Sequence, residues 1–170
     1  NLIAGDMWFA EPYVLPAPTP TVIWTSDDGY YEWEWLAAEA QKRGLCLSFG
    51  VSEPYVGQAG YLDASQVLRL QNQYGQEVTN HGGLNDSYGT LGLTEYMRRV
   101  NSCRDYLVSI GIDPRTANLH QYIQGVNDAA LRAAMRDAGY LSARQTSSVN
   151  TVFPSAGVRL VGPSADVLYN

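Results

Sequence analysis

The feature that most constrains this chain is a rhythm. From residue 21 onward, short apolar and β-branched stretches alternate with longer stretches of helical period. Residues 21–25 read as a strand that stops at Asp27, Asp28 and Gly29. Residues 33–43 read as a helix closed by Gly44, the residue type favoured just past a helix end. A second strand is expected over 45–51. Asp63, with Gln66 three residues on, forms a capping-box pattern for a second helix that ends at Gly75. A third strand over 77–80 runs into His81. Tyr96, Val100, Cys103, Leu107 and Ile110 then recur at steps of three and four, the apolar stripe of a long helix halted by Gly111 and Pro114. Residues 116–122 predict a fourth strand. Asn127 is the expected cap of a helix reaching Ala138 and Gly139, and strands are expected over 141–145 and 158–161.

Such alternation implies right-handed βαβ units, whose parallel strands place their C-terminal ends on one face. The class is therefore α/β, and periodicity does not separate a flat sheet from a barrel. At 170 residues the chain fits one domain, expected over 21–170. Residues 1–20 hold Pro12, Pro16, Pro18 and Pro20 without periodicity and read as an extended lead-in. Asn1 in place of methionine is what a processed or trimmed chain would show. A net charge of −6, with Lys42 as the single lysine, argues against a nucleic-acid partner, which needs a cationic stripe. No apolar run reaches the roughly 20 residues of a membrane span. Cys46 and Cys103 are expected to be two buried thiols.

The chemistry gathers at strand ends, where parallel α/β folds place their sites. The first strand delivers Asp27 and Asp28, and the third delivers His81 with Asn85 four residues later. Asp28, His81 and Asn85 together would offer three ligands to a cation and leave positions open for water and substrate. Tyr30, Trp24 and Tyr122 fit either a sugar platform or the core. His120 reads as a plain strand residue in preference to a proton donor.

The same residues bring a family into view. Thr25, Ser26, Asp27, Asp28, Gly29 and Tyr30 resemble the T-F-D-D-G motif of polysaccharide deacetylases, the carbohydrate esterase family 4 or NodB-homology group. Gly75 to His81 (G-Q-E-V-T-N-H) is similar to the stretch that enters their second motif. Gly57 to Leu62, and Ala130 through Tyr140, also resemble the family, so the similarity runs in order from about residue 21 to 145. It implies an irregular, incomplete (β/α) barrel of mainly parallel strands. Asp27 would be the catalytic base, Asp28, His81 and Asn85 the metal ligands, and Tyr30, Tyr122 and Gln121 substrate-binding residues. The implied cofactor is a divalent cation, zinc first, with cobalt, manganese and nickel as alternatives.

Departures matter as much. Asn85 stands where the family has a second histidine, and an amide oxygen is a poorer zinc donor, so weaker binding or a harder cation is expected; Asp86 is a substitute if the loop bends differently. Gln121 stands at the arginine of the third motif, and no Leu-His that would supply a general acid is found near residues 167–170. Either the chain stops short of that strand or it works without that acid. An amide nitrogen leaves poorly without a proton, so the expected activity is metal-dependent removal of acetyl groups from a polysaccharide or oligosaccharide, O-acetyl ahead of N-acetyl. The competing expectation is an inactive glycan-binding or structural module of a cell-surface or phage tail protein. Either role suits an extracellular, cell-surface or virion-associated setting.

Overall fold

The computed structural model describes residues 24–84 and 86–144, together with the backbone of 165–167. Five strands, β1 (Thr25–Asp28), β2 (Ser48–Val51), β3 (Glu77–Asn80), β4 (Leu119–Gln121) and β5 (Ser142–Arg144), lie in chain order and pair in parallel. A sixth, β6 (Ala165–Val167), pairs antiparallel with β5. Helices α1 (Trp33–Lys42), α2 (Ala64–Asn72), α3 (Tyr88–Leu91), α4 (Leu93–Ser109), α5 (Pro114–Ala117) and α6 (Ala129–Asp137) fill the connections.

The sheet curls into a half-barrel. In a flat sheet with strands about 4.8 Å apart, β1 and β5 would lie about 19 Å from each other. Instead Asp27 of β1 and Arg144 of β5 form an ion pair, which only strong curvature allows. This is the incomplete (β/α) barrel expected from the sequence.

Period-two alternation divides the two faces of the sheet. Phe49, Val51, Val78 and Ala143 bury against the helices. The other set, including Asp27, Gly50, Thr79, Gln121 and Arg144, lines the concave face. Parallel sheets are usually apolar on both faces; a polar inner face marks where this one keeps its site. Under the convex face Trp33, Ala37, Phe49, Val67, Leu70, Cys103 and Leu107 form one core cluster. Tyr96, Val100, Leu131, Met135 and Tyr140 form a second beneath β4 and β5.

Several boundaries moved. The strand β1 contains Asp27 and Asp28 in its last two positions, so they do not sit in the turn beyond it. The expected start of the fourth strand is taken by α5, because Asp113 accepts a hydrogen bond from the Arg115 N–H at 2.8 Å and Pro114 favours a first helical turn. The last helix is capped by Asp128, whose carboxylate accepts from the Leu131 N–H at 2.8 Å, and not by Asn127. The capping box of Asp63 and Gln66 is present as expected. Cys103 is buried, but Cys46 is exposed, contrary to expectation. The strand expected over 158–161 and the lead-in over 1–20 lie outside the described residues. No described helix is long and apolar enough to cross a membrane.

Candidate active site

The site forms at the C-terminal ends of β1, β3, β4 and β5. Its first element is a break in alternation. Asp28 pairs in register with Val51, so a regular strand would send its side chain to the helix-covered face. Its φ of +86° interrupts that pattern. Aspartate tolerates this region better than most residues, at a cost of about 1–3 kcal/mol that the surroundings must offset. They do so through Gly29, whose carbonyl accepts from the Leu62 N–H at 2.9 Å, and through Tyr31, whose N–H donates to Gly60 at 3.1 Å. Two successive carboxylates thereby reach one concavity.

His81 comes from the residue after β3. Its N–H donates to the Val51 carbonyl at 2.9 Å, and its ring is only 5% exposed. Asn80 steers the turn beneath it, accepting from the Gly82 N–H at 2.6 Å and donating to the Val100 carbonyl at 2.8 Å. His81 Nδ1 lies 2.8 Å from the Gln121 carbonyl oxygen. A carbonyl can only accept, so Nδ1 carries a proton, and in the neutral ring Nε2 presents its lone pair. That lone pair faces Asp28 Oδ1 at 3.5 Å. Two electron-rich atoms held this close need either a proton or a cation between them.

The separation bears on which. Two donors bound tetrahedrally at about 2.0–2.1 Å stand about 3.4 Å apart. Asp28 and His81 thus fit two positions of a divalent-cation site, with a backbone carbonyl orienting the imidazole as is usual for metal-bound histidines. Among the described residues no third histidine, cysteine or carboxylate joins them. Asn85, the expected third ligand, lies outside the described residues. Asp86 is engaged with Arg99 at 2.8 Å.

Asp27 is held differently. Its Oδ1 accepts from Arg144 Nη2, which also donates to Gln121 Oε1 at 3.1 Å. Gln121 Nε2 in turn donates to Thr79 Oγ1 at 3.0 Å. Gln121 is therefore the hub of the site: its main chain orients His81 and its side chain seats Arg144. It is 3% exposed and committed at both ends of its amide, and it supports the site from below. Gly50 makes the room, since a Cβ there would stand 2.1 Å from Gln121 Oε1.

The remaining candidates separate. Tyr30 is 44% exposed at the rim, and its hydroxyl donates to Asp28 Oδ2 at 3.3 Å. The charge of Asp28 is the main cause raising the Tyr30 pKa. Its ring stacks on Tyr61 at 5.1 Å, which stacks on Tyr55 at 4.6 Å. Tyr122 is wholly buried, its ring edge-on to His120 at 5.3 Å, and packs the core beneath the site, the second of the two placements the sequence left open for it. Trp24 lines a cleft with Trp35, Leu36 and Leu45 beside α1. His120 belongs to the convex face, 3.0 Å from the Tyr96 hydroxyl. Burial first, and His81 second, lower its pKa to about 3, so it stays uncharged and away from the concave face. Sequence reasoning missed Arg144, Thr79 and Gly50. Their one signal was position: each falls on the same alternation row as Asp27 or Gln121.

The half-barrel carries a carboxylate pair and a histidine at its strand ends, and comparison with known proteins specifies the fold. No protein-family model and no curated protein matches the sequence. Solved structures do match in fold. A family 4 carbohydrate esterase from Streptomyces lividans, in complex with acetate, superimposes with a TM-score of 0.61 at 22% identity, over 74% of this chain and 62% of that one. IcaB from Ammonifex degensii gives 0.63 at 19% identity, over 75% of this chain and 60% of that one. A polysaccharide deacetylase from Bacillus cereus gives 0.65 at 17%, over 80% of this chain and 42% of that one. The chain has the fold of the polysaccharide deacetylases and spans less than two thirds of the length of these relatives.

Proposed function

We propose that the protein removes acetyl groups from a polysaccharide or oligosaccharide, using a divalent cation held by Asp28 and His81, with Asn85 as the third ligand. The observation that carries this reading is the placement of Asp28 Oδ1 at 3.5 Å from a histidine nitrogen whose other nitrogen is fixed by a carbonyl. Zinc suits the histidine, and cobalt, manganese or nickel are alternatives. Such a cation supplies Lewis acidity, polarising the acetyl carbonyl and acidifying a water molecule.

This chain's residues supply the rest. Asp27 takes the proton from the attacking water. Arg144 engages its Oδ1, and Oδ2 retains lone pairs for that task. Tyr30 offers a ring at the rim for a pyranose face. Proton delivery to the leaving group is the weak step. His120 is uncharged and on the opposite face, and Tyr30 is a poor acid with its pKa raised. A sugar alkoxide leaves more readily than an amide nitrogen, so O-acetyl esters are favoured over N-acetyl amides. A substrate of this kind suits an extracellular, cell-surface or virion-associated setting.

The test is acetate release from acetylated xylan and from chitin oligosaccharides, with metal content measured on the same sample. Expected are bound divalent metal, turnover of the ester ahead of the amide, and a loss of roughly 10²–10⁴-fold in Asp27→Ala. Unchanged turnover in Asp27→Ala refutes the proposed base. Neither metal nor turnover would refute the enzyme and leave a glycan-binding module of the same fold.

A further inference from the structure

A column of phenol rings stands beside Asp28. Tyr30 follows the end of β1, Tyr55 closes a short 3-10 turn (Glu53–Tyr55) after β2, and Tyr61 lies between that turn and α2. Tyr30 and Tyr61 pair across an isolated antiparallel bridge. Beside it the Leu62 N–H donates to the Gly29 carbonyl at 2.9 Å and the Tyr31 N–H to the Gly60 carbonyl at 3.1 Å. The loop also closes on itself, the Tyr61 N–H donating to the Gln58 carbonyl at 3.0 Å and the Gly57 N–H to the Leu62 carbonyl at 2.9 Å. The rings stack as a result, Tyr61 inclined by 21° to Tyr30 and by 15° to Tyr55. Such stacking is favourable beyond the area it buries, and it takes from Tyr30 the rotamer freedom that a rim side chain would otherwise keep. The hydroxyl at the end of that ring is aimed inward. At 44% exposure Tyr30 could give its proton to water, yet it donates to Asp28 Oδ2 at 3.3 Å. The other oxygen of the same carboxylate, Oδ1, faces His81 Nε2 at 3.5 Å.

We propose that Tyr30 is a positioning residue for Asp28: its hydroxyl occupies Oδ2, leaves Oδ1 as the oxygen turned toward His81, and is itself held in place by the rings of Tyr61 and Tyr55. The inference rests on the reading of Asp28 and His81 as cation ligands, and it adds what prepares the carboxylate for that task. A carboxylate binds a cation through one oxygen or through both, and the torsion that turns its plane is broad. The Asp28 side chain is 29% exposed, so packing by itself does not fix that plane. A directed hydrogen bond to Oδ2 does. The two ligands are then matched in kind. The Gln121 carbonyl at 2.8 Å orients the His81 ring, and the Tyr30 hydroxyl orients the Asp28 carboxylate. Partners of this sort behind ligating groups are worth about 10–100-fold in metal affinity. Tyr61 acts on the site through Tyr30, by keeping the phenol over the carboxylate instead of in water.

Calorimetric titration of zinc into the chelator-treated protein tests this without recourse to turnover. Tyr30→Phe keeps the ring and its stack and deletes only the hydroxyl. It should weaken zinc binding about 10-fold, the low end of the range because the bond lies at an exposed rim. Tyr61→Leu removes the middle ring and should weaken zinc about 3–10-fold, whereas Tyr61→Phe keeps the stack and should stay within about 2-fold of the original. In the Tyr30→Phe background Tyr61→Leu should cost no further affinity, since the hydroxyl it positions is already gone. Unchanged zinc affinity in Tyr30→Phe overturns the proposal. An equal loss from Tyr61→Leu in both backgrounds overturns the role of the column. Should Tyr61→Leu fail to fold, Tyr30→Phe, a change at the exposed rim, decides alone. Zinc that does not bind the unaltered protein overturns the cation site, and the deacetylase reading with it. Zinc that binds the unaltered protein and Tyr30→Phe equally well overturns the positioning alone.

Discussion

The most exacting consequence of this architecture lies at a residue without a side chain. Gly50 sits in β2 between Asp27 and Thr79 in the register, and the amide of Gln121 occupies the space above it. A Cβ added at Gly50 would meet Gln121 Oε1 at 2.1 Å and Cδ at 2.6 Å. No carbon and oxygen approach that closely without bonding, so Gln121 must move in Gly50→Ala. The movement breaks its bond to Thr79 at 3.0 Å and its bond from Arg144 at 3.1 Å. A neutral hydrogen bond contributes about 1 kcal/mol net and a charged one about 1.5–3, so the variant should lose about 2–4 kcal/mol. At this chain length that is a fall in Tm of roughly 5–12 °C. Gly50 has no positive φ to relinquish, so nothing else in the substitution is costly. The control is the same change in Gln121→Ala. There the Cβ enters vacated space, and alanine should even stabilise the strand slightly, by about 0.5–1 kcal/mol, through backbone entropy. Thermal melts of the four proteins read the cycle. Equal losses in both backgrounds would refute the reasoning, as would a Gly50→Ala protein that melts normally.

Three further expectations can be checked on the same material. Because His120 has a folded pKa near 3 against about 6.5 unfolded, the unfolded state binds more protons between those values. Stability should hold above pH 6.5 and decline as pH falls toward 4.5, ahead of the carboxylates, and His120→Gln should flatten that limb in denaturant titrations. Asp63→Ala removes the side-chain half of the capping box, the bond that Asp63 Oδ1 accepts from the Gln66 N–H at 2.9 Å, and leaves the backbone N–H of residue 63 to donate to Gln66 Oε1; a loss of about 1 kcal/mol, or about 2–4 °C in Tm, is expected. Under native conditions a maleimide should label Cys46 and spare Cys103, whose thiol is buried and pushed up to about 12. Labelling at Cys103 in the folded protein would contradict the packing of α4 against β2.

Much of the fold was legible because it rests on local rules. The stripe from Tyr96 to Leu107 is buried on α4 as its spacing required. The capping box at Asp63 formed where its two residues predicted. Errors came where two local rules competed. Asp113 and Pro114 read as the stop of the long helix, and also start a short one that displaced the expected strand. Asn127 and Asp128 are both good caps, and only Asp128 reaches the third N–H of α6. Tyr122 was ambiguous because an aromatic at a strand end suits a rim or a core equally, and its neighbours from α4 and α6 are remote in sequence.

The sequence by itself determined the alternation of strands and helices, and it singled out Asp27, Asp28 and His81 as candidate site residues, because period and residue type act over a few positions. Only the tertiary structure decided how those residues are placed. Curvature of the sheet brought Arg144 across four strands to Asp27. The left-handed turn at Asp28 put two neighbouring carboxylates on one side. The space left by Gly50 admitted the Gln121 amide that ties the histidine to the arginine. Each of these depends on distances between residues far apart in the chain, and closing such distances is what folding does and what no local pattern encodes.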